Sequence, residues 1–411
     1  VLKRLEEVQQ LTVENVQDQV EQQLMAEGYY ETAKAYILYR EKRAKARAMR
    51  ERIAARMEDP SLEGTLREIE ADFDSAKYSL NLLAEQYERL IREGMSVREQ
   101  EKILVKAAVE LTTMEAPRWE YLAARLQNHF FSRTVREEMQ KQNIQTFPEK
   151  LHDLADEGLY GRYILEAYSE EELQMAGDMI CPERDRLFTY AGLELLLKRY
   201  VIHTRDGKPM ETPQEMFLGI ALHLAMQEKR DRMEWVQRFY DMLSRMEVTM
   251  ATPTMANARK PFYQLSSCFV DVVPDSLDGI YRSIDSFAKV SKFGGGMGLY
   301  FGKVRASGSA IRGFPGAAGG VIRWIKLVND TAVAVDQLGM RQGAVAVYLD
   351  VWHRDLPEFL QLRTNNGDDR QKAHDVFPAV CYPDLFWKLA EKNIDAKWYL
   401  MCPHEIQTVK G

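Results

Sequence analysis

Cysteine is scarce in this chain: among 411 residues there are four, Cys181, Cys268, Cys381 and Cys402, widely spaced and without a C-x-x-C pair. Such spacing suggests neither a disulfide framework nor a zinc site, so all four read as reduced thiols and no metal ligand set is expected. Long apolar runs are missing as well. Nothing approaches the roughly 18 consecutive apolar residues of a membrane span, and the opening "VLKRLEEVQQ" lacks the apolar core of a signal peptide. The expected compartment is the cytoplasm, with no membrane partner. Positive charge is not in excess either: the formal net charge is -7, which argues against nucleic acid as a partner. A starting valine and a closing glycine after "IQTVK" make both ends read as cut. What is present is ample, since 45% hydrophobic residues over this length bury a large core and predict two or three domains.

From Thr12 to about Met57 the pattern is helical: Thr12 can cap, Val13, Val16, Val20 and Leu24 recur at helical spacing, and Gly28 fits a stop. A second, basic helix follows. Eight Lys and Arg lie between Arg40 and Arg56 against only Glu41 and Glu51, which suits a solvated helix face or a phosphate contact. Pro60 breaks the pattern, and residues 61 to 247 keep a helical period with Gly and Pro confined to the joints. The composition changes near residue 248. Ten of the 24 glycines fall between Gly294 and Gly320, and strand-like runs ("SSCFVDVV", "GMGLYFGKV", "AVAVYLDVW", "VFPAVCY") alternate with helical ones. The alternation predicts an α/β domain.

The Gly-rich segment "KFGGGMGLYFGKVRASGSAIRGFPGAAGG" fits no P-loop, because Met297 and Val304 stand where Gly and Ser or Thr are needed, and no G-x-G-x-x-G register fits. It still offers backbone amides beside Arg305 and Arg312, with a second flexible loop, "DQLGMRQGAV", about 30 residues on. Amides and guanidinium groups suit phosphate. Asp275, at a helix start, suits either capping or sugar hydroxyls. His353 and His374 stand alone and read as structural or surface histidines rather than bases. Cys268, after "QLSS", is either an inert small hydrophobe or a reactive thiol at the strand ends where "ATPTMANA" and the Gly-rich loop would converge.

Five segments in order, "TPTMANARKPFYQLSSCFV", "DSLDGIYRSI", "GGGMGLYFGKVRASGSAIRG", "YLDVWHRDLPEFLQLRTNNG" and "PDLFWKLAEKNIDAKWYLMCPHE", resemble the large, catalytic subunit of class I ribonucleotide reductase over residues 65 to 411. The upstream "TVENVQDQVEQQLMAEGYYETAKAYILYREKR" is similar to the last part of an ATP-cone. The resemblance implies an α/β fold: a cone remnant over 1–58, a helical domain over 59–247, and the first half of a ten-stranded α/β barrel over 248–411. It implies that Cys268 is one of two thiols that reduce the ribose 2' carbon, and that Thr252 and Ser267 line the substrate pocket. It places Asp275, Arg305 and Arg312 with the nucleotide effector (ATP, dATP, dTTP or dGTP) beside loop 1, about 305 to 320. Arg341 falls in loop 2, about 336 to 345, which relays effector identity to the substrate.

No cofactor bound by this chain itself is implied; the radical comes from a metal-containing small subunit. The other implied partners are a second large subunit, the complementing C-terminal half of the barrel, and thioredoxin or glutaredoxin as reductant. The family's radical cysteine and the partner of Cys268 sit in the second half-barrel, and Cys381 and Cys402 stand in the wrong motifs to replace them. Two rivals stay open: a nucleotide-binding regulatory or assembly fragment, and a coenzyme B12-dependent reductase with the same barrel.

Overall fold

The structure, a computed structural model, describes residues 13–337, 339 and 342–409. The expected cap Thr12 lies outside them. Among the described residues no helix is long and apolar enough to cross a membrane. The chain forms two compact units, one from the described residues of Val1–Gln145 and Cys181–Gln214, the other from those of Thr146–Ile180 and Glu215–Gly411.

The first unit is helical. Helices Val13–Ala26 and Tyr30–Arg56 are separated at Gly28, whose φ of 80° is the left-handed stop expected there. Ser96 and Glu99 form a reciprocal capping box that starts helix Val97–Glu110. Apolar residues at helical spacing, among them Leu62, Leu66, Ile69, Leu104 and Leu126, bury a shared core with Trp119. The basic helix spends much of its charge locally. Arg50 pairs with Glu63 at 3.1 Å and with Glu70, while Arg56 reaches Glu88 at 2.5 Å, so these guanidinium groups already have carboxylate partners within the chain.

A polar cluster around Asp59 is buried in this unit. Asp59, 4% exposed, accepts from Arg133 Nη1 at 2.7 Å and from the Ser61 amide at 3.0 Å, and His129 Nε2 lies 2.8 Å away. Burial alone would raise its pKa, but the hydrogen bonds from Ser61, His129 and Arg133 outweigh it and hold the carboxyl down at about 2.

The second unit holds a four-stranded parallel sheet in the order β1-β2-β3-β4: β1 Cys268–Val272, β2 Gly296–Tyr300, β3 Val345–Asp350 and β4 Val376–Cys381. All four lie within the runs read as strands. Helix α1, Leu277–Lys292, connects β1 to β2, and helix α2, Val321–Ala334, lies between β2 and β3. On one sheet face Met297, Leu299, Val345, Val347 and Leu349 pack against Ile280, Phe287, Ile325 and Val328 of these helices. The other face is open: Val270 on β1 is 88% exposed and Phe377 on β4 is 56% exposed.

Candidate functional site

The sheet register sets the first cluster. β1 begins at Cys268, paired with Gly296, and the Gly296 amide donates to Ser267 O at 2.8 Å. Ser267 and Cys268 are exposed at this strand end, with Ser267 Oγ 3.7 Å from the thiol sulfur. Thr252 occupies the first turn of the short helix Thr252–Asn257, half-buried. Two buried side chains of that helix carry the approach to Cys268: Thr254 Oγ1 donates to Leu265 O at 3.2 Å, and Asn257 Nδ2 donates to Gln264 O at 3.0 Å and Phe293 O at 3.2 Å. Sequence reasoning passed over both, although "TPTMANA" had marked the segment.

Could Cys381 be the second thiol? Both cysteines point to the open face, since Cys268 aligns with Gly296 and Cys381 with Asp350, an even number of residues further along the ladder. They nevertheless sit on opposite edge strands and at opposite strand ends. Three interstrand gaps alone span roughly 14 Å, and a disulfide needs Cα atoms within about 7 Å. Burial, with Asp350 beside it, also pushes the Cys381 thiol up, away from thiolate reactivity.

The second cluster lies past the other end of β1. Ser276, not Asp275, caps α1, its side chain accepting from the Gly279 amide at 3.1 Å. Asp275 is thereby left for Arg305: Nε donates at 2.9 and 3.2 Å, and the Arg305 amide donates to Oδ1 at 3.1 Å. Arg305 Nη1 donates to Ala310 O at 2.7 Å, and His404 Nδ1 stands 4.0 Å from Asp275 Oδ2. The structure thus joins two residues 30 positions apart. Arg312 is exposed at a φ of 50° on the tip of the loop, where Ile311 and Phe314 bridge. Arg341 lies outside the described residues.

The Gly-rich loop differs from the expected set of exposed amides. Those of Gly308, Ser309, Ile311, Phe314, Gly316 and Ala318 all donate to carbonyls within the loop. These six amides are therefore not free to cradle a phosphate. Of the second loop, Gln337 Nε2 donates to Gly295 O at 3.1 Å, and a Cβ at Gly343 would stand 2.7 Å from Ala332 O, so this turn accepts only glycine. His353 is fully buried, with Nε2 2.9 Å from Val304 O and Nδ1 accepting the Asp355 amide at 3.1 Å. That arrangement fixes one neutral tautomer and agrees with a structural histidine.

Three family descriptions match this sequence: an ATP cone domain over residues 1–45, the ribonucleotide reductase all-alpha domain over 186–263, and the ribonucleotide reductase barrel domain over 266–411. The chain is 62% identical over 399 residues to the ribonucleoside-diphosphate reductase subunit alpha of Treponema pallidum, covering 97% of this chain and 47% of that protein. It is 42% identical over 327 residues to the subunit of the same name from Synechocystis, covering 78% of this chain and 41% of that one. The large chain from Neurospora crassa is 42% identical over 225 residues, 54% of this chain and 24% of its own length. The chain therefore spans less than half the length of the curated relatives it matches.

Proposed function

The chain belongs to the ribonucleotide reductase large-subunit family, and on that premise we propose that it is the part of a ribonucleoside-diphosphate reductase that carries the effector site and one of the two reducing thiols. The observation that carries the proposal is the meeting of Asp275 and Arg305 at the root of the Gly-rich loop, at the far end of the strand that begins with Cys268. An effector nucleotide would meet the Arg305 guanidinium at its phosphates, with Arg312 on the same loop, and Asp275 would hold the sugar edge. Arg341 would act from the second loop.

At the other end of β1, Thr252 and Ser267 would hold the substrate beside Cys268. Replacing C–OH by C–H takes two electrons and releases water. Two thiols supply the electrons and close to a disulfide, so Cys268 contributes one sulfur and a second cysteine must supply the other. A dithiol reductant of the thioredoxin or glutaredoxin class would then reopen the disulfide. The radical that starts the reaction would come from a separate metal-containing small subunit.

We take the working division to be a cone remnant over 1–58, a helical part over 59–247 and a first half-barrel over 248–411. The open sheet face supports the half-barrel, because parallel sheets are normally covered on both faces. The test is calorimetry with deoxythymidine triphosphate. Arg305→Ala should weaken binding roughly ten- to a hundredfold, the loss of a charged hydrogen bond, and equal binding would remove Arg305 from the site.

A further inference from the structure

Three successive amides at the root of the Gly-rich loop are each taken by a different side chain. The Arg305 amide goes to Asp275, the Ala306 amide to Cys402 Sγ at 3.4 Å, and the Ser307 amide to Asp355 Oδ1 at 2.9 Å and Oδ2 at 3.2 Å. Consecutive amides of this kind commonly bind anions; here protein acceptors hold them. Asp355 does more than the other two. Its Oδ2 also accepts the Val321 amide at 2.9 Å, the first residue of α2, whose cap position is Gly320 and has no side chain to offer. A single carboxylate, 4% exposed, thus fastens both ends of the loop and caps the following helix. The sequence accommodates it closely: Gly320 has a φ of 74°, and a Cβ there would lie 2.4 Å from Asp355 Oδ2. His353 fixes the other side by accepting the Asp355 amide and bonding Val304 O, one residue before the loop.

We propose that Asp355 is the positioning residue of the effector loop, holding its two ends at the separation that sets Arg305 against Asp275. This rests on the effector reading of that pair. Asp355→Asn keeps the shape but replaces one acceptor by an NH2 group that faces the Ser307 amide in either orientation of the side chain, and the Val321 amide as well in one of them, so the loop ends should part.

The experiment has two arms on the whole chain, run well below the unfolding temperature of each variant. Without nucleotide, hydrogen exchange at the Ser307 and Val321 amides should quicken in Asp355→Asn. With deoxythymidine triphosphate as the probe, that variant should bind about tenfold more weakly, within the usual range of coupling between sites. Val347→Ala, which loosens the same core from beneath the sheet, should leave the affinity unchanged. If Asp355→Asn does not fold, Gly320→Ala displaces the carboxylate without removing it and should weaken binding in the same way. Unchanged exchange and affinity in either folded variant would overturn the proposal. A wild-type chain that binds no nucleotide would overturn the effector reading itself, and exchange at Ser307 and Val321 would still decide whether Asp355 ties the loop.

Discussion

Asp59 shows how a single side chain can carry a pH dependence. Its ordinary value is 3.8 and its folded value about 2, so the stabilisation is complete above about pH 4 and is lost as the pH falls towards 2. Thermal unfolding of the chain followed by circular dichroism should therefore show a falling midpoint across that window. Asp59→Asn should flatten the dependence and, by leaving Arg133 and His129 without their carboxylate, cost about 3 kcal/mol at neutral pH. An unchanged midpoint at neutral pH would contradict the assignment.

At the same scale, the sequence made some candidate residues legible and hid others. Arg305 could be singled out because a guanidinium on a Gly-rich loop suits phosphate, and Asp275 because it stands at a helix start; that the two pair across 30 positions was not legible. Asp355 could not be singled out, since the amides it holds lie 48 and 34 residues away and their donors carry no side-chain signature.

At the scale of elements, the four strands were legible because each is a short β-rich run between turn residues, and each helix between them has a clear apolar face. The loop's internal ladder was not, because alternation of Gly with small residues specifies turns without saying which amides remain exposed. Helix α1 also has an outer face that its own core does not use: Leu277 is 62% exposed, and Tyr281, 52% exposed, packs edge-on against Trp324 of α2 at 6.0 Å. From the sequence a second copy of the chain is expected as a partner, and this face is where that expectation is tested. Effector that binds the dimer better than the monomer should promote pairing, by about 2.7 kcal/mol at a hundredfold excess over Kd if the monomer does not bind it. Sedimentation should show effector-dependent dimers that Tyr281→Glu abolishes. A chain that stays monomeric at saturating effector would count against pairing through α1.

For the whole molecule, the open sheet face is the dominant feature. Among the described residues the two edge strands lack an outer partner, and with an exposed apolar surface that includes Val270 and Phe377 they would favour association. The chain alone should bind a hydrophobic dye and self-associate, and addition of the complementing C-terminal half of the barrel should suppress both; dye binding unaffected by that half would argue that the face has another occupant. The most direct measurement of the central claim is deoxynucleotide formation when this chain is combined with that half, a radical-generating small subunit and a dithiol reductant. The account predicts sustained reduction of ribonucleoside diphosphates with the wild-type chain, and none with Cys268→Ser at undiminished effector affinity, because an alcohol cannot close the disulfide. Sustained turnover by the Cys268→Ser variant would contradict it.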